Sequence, residues 1–142
     1  MNRMVQRWLT GTHVFWYRMT GGRIGGRFGR LNMLLLTTTG RKSGRPWTTP
    51  LTYLADGDEM VLVASNGGSP GHPAWYLNLR ANPQVRVEVP RRTMTVKART
   101  ASAEEKARLW PMVVDLYSGY ADYQRRTKRE IPLVILGPEG GG

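Results

Sequence analysis

The chain has 142 residues, the usual size of one domain, and its hydrophobic fraction of 40% suits a packed core rather than a disordered segment. It carries 21 Lys and Arg against 10 Asp and Glu, a formal net charge of +11, which points to a nucleic acid, an anionic membrane surface or a small polyanion as partner. It has no Cys and two His, so disulfides, thiolate nucleophiles and cysteine-ligated metals are excluded and no metal site is expected.

The N-terminal segment is basic and amphipathic. Residues 1–20 predict a helix, interrupted by Gly11, with aromatic side chains on one side and Arg on another. Either this helix lies in a membrane interface or its aromatic side packs on the domain. Residues 21–30 predict a Gly/Arg linker, either a flexible connector or a short RNA-binding segment. No apolar run reaches the ~20 residues of a membrane span, and no signal peptide is evident, so a cytoplasmic protein is expected, with membrane contact through the helix left open.

The first two strands of the predicted body flank a basic turn. Residues 33–39 are apolar and then β-branched, which predicts a strand. Residues 40–46 form the turn. Residues 47–55 predict a second strand, in which Pro50 indicates a sheet edge or a bulge.

The remaining elements follow from turn signals and periodicity. Asp56-Gly57 predicts a hairpin, and the strand over 59–65 has a nearly all-apolar centre that indicates burial on both faces. Ser102 and Glu105 have the spacing of a capping box, and Pro111 either kinks the helix that follows or splits it in two. The other predicted elements are a loop over 66–73, a helix over 73–81 with Pro73 in its first turn, strands over 85–89 and 93–100, a short polar helix or loop over 117–128, and a strand over 131–136.

This order of elements predicts an α+β fold. About six strands occur mostly in hairpins, and the strand–helix alternation of a parallel sheet is missing. We expect a small antiparallel barrel with two to four helices outside it. The expected organisation is a basic helix and linker over 1–30, the folded body over 31–138 and a tail over 139–142.

The turn at residues 40–45 has the composition of a phosphate-binding loop. Arg41, Lys42 and Arg45 supply positive charge, Ser43 supplies a hydroxyl, and two glycines let backbone amides approach an anion. The spacing is not that of a Walker A loop. A solvated basic hairpin turn is the alternative, and composition alone does not separate the two.

Two further features could serve a ligand. The Gly-rich segment 64–73 follows a buried strand, where ligand loops often lie. Tyr117, Tyr120 and Tyr123 are spaced by three, so on a helix they share one side and either line a pocket or pack as core. No catalytic acid–base pair stands out, which favours a protein that holds a ready-made reactive group.

Several segments in this order resemble one known family. They are Leu35–Pro46, Pro50-Leu51, Val63–Ser65 with Gly67-Gly68, Pro73–Pro83, Trp110-Pro111, the tyrosine series and Ile131-Pro132. Over about residues 32–138 the chain resembles the deazaflavin-dependent nitroreductases, the A-type branch of the split β-barrel flavin and deazaflavin oxidoreductases. The resemblance implies coenzyme F-420, a polyanionic deazaflavin, whose reduced ring gives a hydride from C5 to a quinone, an activated enone or, incidentally, a nitroaromatic. Such a ligand would account for the basic charge.

The resemblance also implies a set of site residues. The phosphate and the start of the acidic tail would be held by Arg41, Lys42, Ser43 and Arg45. The ring would face Thr48, Thr49, Pro50, Leu51, Ala64 and Ser65, and the groove would be lined by Asn66, Gly67, Gly68, Trp75 and Asn78. Tyr117, Tyr120 and Tyr123 would cover the ring, form the substrate pocket and act in catalysis, with a Tyr hydroxyl or water as the proton source.

Three positions depart from the family's pattern, and two alternatives remain. Trp47 and Asn66 stand where basic residues are common, and Thr52 stands where Tyr is common, so no relative's substrate transfers directly. The first alternative is an FMN-binding split barrel. The second is a non-enzymatic basic module on a membrane or nucleic acid, which would use the N-terminal segment and the basic cluster over 125–129. We expect a small-molecule acceptor, no nucleic acid, and a monomer or homodimer.

Overall fold

The computed structural model describes residues 27–28 and 31–138. The strands are β1 (Arg27–Phe28), β2 (Leu31–Thr39), β3 (Pro46–Asp56), β4 (Glu59–Val63), β5 (Gln84–Val89), β6 (Arg92–Thr100) and β7 (Leu133–Pro138). The helices are α1 (Ala74–Ala81), α2 (Ala103–Leu116) and α3 (Gly119–Arg126), and a 3-10 turn spans Asn66–Gly68.

The sheet closes on itself. Its order is β1-β2-β3-β4-β7-β6-β5, every pair is antiparallel, and β5 returns to pair with β2. Strands β2 to β7 therefore form a six-stranded barrel with the helices outside, which confirms the predicted split-barrel class. Arg27–Phe28, inside the predicted linker, pairs with the start of β2.

Two apolar clusters hold the barrel and its helices together. Alternate residues of the strands, among them Leu36, Leu62 and Leu136, point inward together with Trp75 and Leu79 of α1. The other face of β4 and β7 packs against α2 and α3 in a second cluster, formed by Val61, Leu109, Val113, Tyr120, Leu133 and Ile135. Because β4 contributes to both clusters, its predicted burial on both faces is confirmed.

β3 carries the feature that shapes the site. It pairs with β2 along Pro46–Tyr53, but its ladder with β4 covers only Leu54–Asp56. Among the described residues, Pro46–Tyr53 thus pair on one edge only, and Pro50, which cannot donate to a ladder, lies in this stretch. The edge position predicted from Pro50 is confirmed.

Several boundaries differ from the sequence prediction. β4 ends at Val63 rather than at residue 65, because the chain there turns into the 3-10 turn. Pro73 is the N-cap of α1 and not part of its first turn. α2 continues past Pro111 as one helix, so of the two predicted alternatives, a kink or a split, the split is excluded. Leu109 and Val113, buried on either side of the proline, hold both halves on the barrel.

The predicted N-terminal helix over 1–20 and the tail over 139–142 lie outside the described residues. Within the part of the chain that is described, no helix is long and apolar enough to cross a membrane.

α2 begins with the predicted capping box. The Ser102 Oγ accepts a bond from the Glu105 N–H at 3.2 Å, and the Ser102 N–H donates to the Glu105 carboxylate at 3.0 Å. Arg99 donates two bonds to the same carboxylate, at 2.7 and 2.8 Å. The hydrogen bond from Arg99 and then that from the Ser102 backbone lower the pKa of Glu105 from 4.5 to about 2.

We expect Glu105→Gln to lower the melting temperature at pH 7, by an amount that shrinks as the pH falls. A carboxyl with a depressed folded-state pKa contributes stability that is present above pH 4.5 and is lost on the way to about pH 2. Thermal denaturation of both proteins between pH 7 and pH 2 measures this. Glu104→Gln, a neighbouring charge in the same turn, is the control and should shift the melting temperature less. A Glu105→Gln deficit that stayed constant to pH 2 would contradict the assignment.

Candidate functional site

The outer side of β3 connects the candidate ligand regions. The Thr48 hydroxyl pairs with that of Thr37 at 2.8 Å, and the Thr52 hydroxyl pairs with that of Tyr120 at 2.7 Å. Because alternate residues of a strand share a face, Thr48, Pro50 and Thr52 form one row about 13 Å long. The row leads from the basic turn to the tyrosines of α3.

The basic turn closes through its own backbone. The Gly40 N–H donates to the Arg45 carbonyl, and the Gly44 N–H donates to the Gly40 carbonyl, both at 2.8 Å. Gly44 has φ +70°, a conformation that favours glycine, and a Cβ at Gly40 would lie 2.6 Å from the Ser43 Oγ, so a larger residue there would displace the serine side chain. Ser43 also accepts a bond from the Arg45 N–H at 3.2 Å. Arg41, Lys42 and Arg45 are all exposed, which leaves their charges available to an anion.

Asn78 attaches this turn to α1. Its Oδ1 accepts bonds from the Arg41 backbone N–H at 3.1 Å and from the Arg41 Nη1 at 3.2 Å. Its Nδ2 donates to the Thr38 Oγ1 at 3.2 Å, and both Asn78 and Thr38 are buried. Asn78 also borders a cleft of about 570 Å³, which is lined in addition by Gly40, Ser43, Arg45, Pro46 and Trp47.

The segment 64–69 lies against α3. Ala64 and Ser65 are buried, and Asn66, Gly67 and Gly68 all have positive φ. A Cβ on Gly68 would lie 3.0 Å from the Tyr123 carbonyl oxygen, so only glycine lets the loop approach the helix this closely.

The three tyrosine rings meet although they do not share one helix. Tyr117 caps the C-terminus of α2, whereas Tyr120 and Tyr123 belong to α3, so the prediction of a single helix face is wrong. Gly119 allows the close approach, because a Cβ there would overlap the Tyr117 ring. The ring centroids lie 5.0 to 6.3 Å apart, and the Tyr117 and Tyr123 hydroxyls are 3.2 Å apart.

The environment raises the pKa of two of these phenols, those of Tyr120 and Tyr123. Burial raises the pKa of Tyr120, and the hydrogen bond with Thr52 offsets this only in part. The hydrogen bond with Tyr117 and then burial raise the pKa of Tyr123. Tyr120 is 8% exposed and Tyr117 is 39% exposed, so the cluster runs from the core to the surface. It can therefore donate a proton at neutral pH and present an apolar surface to a ring.

Other predicted site residues lie in different surroundings. Trp75 is buried in the barrel core, with its ring against Tyr76. Leu51 also packs on that core, whereas Asn66 and Gly67 are exposed on the loop.

The sequence prediction missed Arg129. By sequence it belongs to the basic cluster over 125–129, yet its guanidinium donates to backbone carbonyls of segment 64–69. Spacing along the chain carries no signal for this contact, because the partners are 60 to 65 residues away.

Known proteins resemble this chain in sequence and in structure. A family model described as F420H(2)-dependent quinone reductase matches residues 9–138. The F420H(2)-dependent quinone reductase Rv1261c of Mycobacterium tuberculosis is 44% identical over 140 residues, which cover 96% of this chain and 94% of that protein.

Two solved structures are similar. An F420-H2 dependent reductase, FDR-A, superposes with a TM-score of 0.68 at 40% identity and covers 73% of this chain and 92% of its own. A structure described as a domain-swapped dimer gives a TM-score of 0.69 at 34% identity and covers 87% of this chain and 98% of its own.

Proposed function

The chain belongs to the F420H(2)-dependent quinone reductase family, and on that premise we propose that it transfers a hydride from reduced coenzyme F-420 to a quinone. The resemblance to deazaflavin-dependent oxidoreductases is thereby confirmed, and the chain is an oxidoreductase. A non-enzymatic basic module is set aside as the main function. Activated enones and nitroaromatics are further acceptors to compare in the same assay.

The polarity of the site carries this proposal. Three exposed cations lie at one end of the β3 row, and neutral phenols lie at the other. A ligand with an anionic tail and a planar ring would meet charge at the first end and a half-apolar surface at the second. These residues fit coenzyme F-420 in the chemistry of both its ends.

Each part of the site has a role in the proposal. Arg41, Lys42 and Arg45 would hold the phosphate and acidic tail, with Ser43 shaping the turn between them. The open edge of β3 and the segment at Ala64-Ser65 would face the ring. When bound in its reduced form, the cofactor supplies the hydride. Tyr120 would supply the proton that the acceptor needs, and the tyrosine cluster would exclude water.

A binding titration tests the cofactor. Oxidised F-420 and FMN are added separately to the purified protein, and tryptophan fluorescence is followed, since Trp47 borders the cleft. F-420 should quench at micromolar concentration and FMN should bind more weakly, because FMN has a phosphate but no acidic tail. Tighter binding of FMN would replace the cofactor assignment, and binding of neither would overturn it.

Lys42→Ala tests where the anion lies. It should weaken F-420 binding about 10- to 100-fold, the effect of a lost charge-assisted contact. Lys97→Ala, an exposed lysine on β6, removes the same charge elsewhere and should leave the affinity unchanged. Equal losses in the two variants would mean that only net charge matters.

The oligomeric state and the cellular location of the enzyme are predictions. We infer a homodimer from the domain-swapped relative, and size-exclusion chromatography with light scattering measures it. The cytoplasmic location, and membrane contact through residues 1–20, are predictions on which the described residues do not bear.

A further inference from the structure

The Arg129 side chain donates hydrogen bonds to three backbone carbonyls of one loop, residues 64–69. Its Nε donates to the Ser69 carbonyl at 3.0 Å, its Nη1 to the Ala64 carbonyl at 3.2 Å, and its Nη2 to the Ser65 carbonyl at 2.8 Å. The Nη1 also lies 3.2 Å from the His72 Nδ1. One guanidinium thus joins the beginning and the end of the loop, as only a planar fork of donors can.

No carboxylate accompanies this charge. Among residues 27–28 and 31–138, no ion pair includes Arg129, and the adjacent Glu130 pairs with Lys106 at 3.3 Å. Desolvation lowers the pKa of Arg129, in keeping with a half-buried cation among carbonyl oxygens. A side chain that served only solubility would reach water instead, as Arg125 does with 70% exposure.

The backbone that carries Arg129 is itself held in place. The Gln124 Nε2 donates to the Arg129 carbonyl at 2.9 Å, and the Gln124 Oε1 accepts from the Ile131 N–H at 3.0 Å. Gln124 belongs to α3, the helix of Tyr120 and Tyr123. The segment after α3 is therefore attached to the helix that carries Tyr120 and Tyr123.

A second contact joins the same two parts. Gly68 lies against the Tyr123 backbone and the Arg126 Cβ, with no space for a side chain. Arg129 and Gly68 therefore hold the loop on α3 from different points. β4 pairs with β3 only as far as Leu54 and then leads into this loop, whereas β3 continues from Tyr53 back to Pro46 without β4. The loop and that part of β3 therefore diverge from one point, and we infer that the ring lies in the space between them.

We propose that Arg129 is a positioning residue that fixes the loop 64–69 to α3 and so sets the groove for the planar ring of the cofactor. This inference rests on the proposed function for the identity of the ligand. The anchoring itself is a property of the protein alone. The residue acts through backbone carbonyls and does not contact the reacting atoms.

Arg129→Lys tests the proposal, because it keeps the charge and removes the fork. Arg92→Lys, the same change at an exposed position of β6, is the matched control. Hydrogen exchange of the full chain without ligand should show faster exchange at residues 64–72 in Arg129→Lys alone. Binding of F-420 should weaken at least 10-fold, with KM for a soluble naphthoquinone changed less than 3-fold.

The two readouts separate the possible outcomes. Unchanged exchange in Arg129→Lys would overturn the anchoring, whether or not wild type binds F-420. Faster exchange with unchanged affinity would overturn the role in the groove. Failure of the wild-type protein to bind F-420 would overturn the proposed function, while the exchange result would still decide the anchoring.

A second variant covers the case in which Arg129→Lys does not fold. Gly68→Ala adds a Cβ 3.0 Å from the Tyr123 carbonyl oxygen, at φ +80°, and so pushes the same loop away from α3. It should speed exchange in the loop and weaken F-420 binding. Wild-type affinity in Gly68→Ala would overturn the proposal.

Discussion

Asn78→Leu is expected to lower the free energy of unfolding by about 2–3 kcal/mol, because it leaves buried polar groups without partners. The Thr38 hydroxyl, only 2% exposed, loses its donor, and the Arg41 backbone N–H loses its acceptor. Urea denaturation measures this loss. F-420 binding should weaken about 10- to 100-fold in the fluorescence titration, since the basic turn is no longer attached to α1.

Two further variants separate stability from binding. Asn82→Leu makes the same change at the exposed end of α1 and should stay within about 0.5 kcal/mol of wild type. Thr38→Val combined with Asn78→Leu removes both buried partners, so part of the stability should return while the affinity should not. An Asn78→Leu protein that bound F-420 like wild type would mean that the turn keeps its position without α1.

Tyr120→Phe is expected to reduce kcat about 100-fold or more, the usual effect of losing a positioned general acid. The phenol is buried, its pKa is raised by that burial, and Thr52 holds its hydroxyl at 2.7 Å. A quinone that accepts a hydride also needs a proton, and this neutral hydroxyl ends the row on β3. Steady-state kinetics with reduced F-420 measure kcat, and F-420 affinity should change less than about 3-fold in the same variant.

The first control for this prediction uses a second hydrogen-bonded pair of a tyrosine and a threonine. Tyr76→Phe removes another buried tyrosine hydroxyl, which is paired with Thr100 at 2.8 Å, and should cost about 1 kcal/mol of stability without changing kcat. Thr52→Val should lower kcat less than Tyr120→Phe, and the double variant should be no slower than Tyr120→Phe alone. Equal losses of kcat and affinity in Tyr120→Phe would indicate a structural role instead.

The strand pattern was readable from the sequence because it is local. Alternating valines in β5, the Asp56-Gly57 hairpin turn and the Ser102–Glu105 capping box each depend on neighbours within a few residues. The structural effect of proline was predicted less well than the strand pattern. Pro50 marked an edge, whereas Pro111 was accommodated within a helix, because burial of its neighbours outweighed the helix-breaking tendency.

The candidate site was only partly readable. The composition of the turn at residues 40–45 indicated that it binds an anion. Asn78 was predicted as a site residue only through the family resemblance, because its hydrogen bond to the turn joins residues 37 positions apart. The spacing of the tyrosines indicated that their rings cluster, but Tyr117 joins the cluster from the C-terminus of α2 and not from α3. Nothing local indicates that Thr52 meets Tyr120, 68 residues further along the chain.

By itself, the sequence determined the antiparallel class, the order of the strands and helices, the basic charge of the turn and the resemblance to deazaflavin enzymes, because these depend on local periodicity, composition and ordered motifs. Only the tertiary structure decided which polar groups meet. Arg125 and Arg129 belong to one basic run, yet the first is exposed and the second joins a loop through three carbonyls. That difference arises from barrel closure, which brings β4, its loop and the end of α3 together, and no local pattern encodes such long-range contacts.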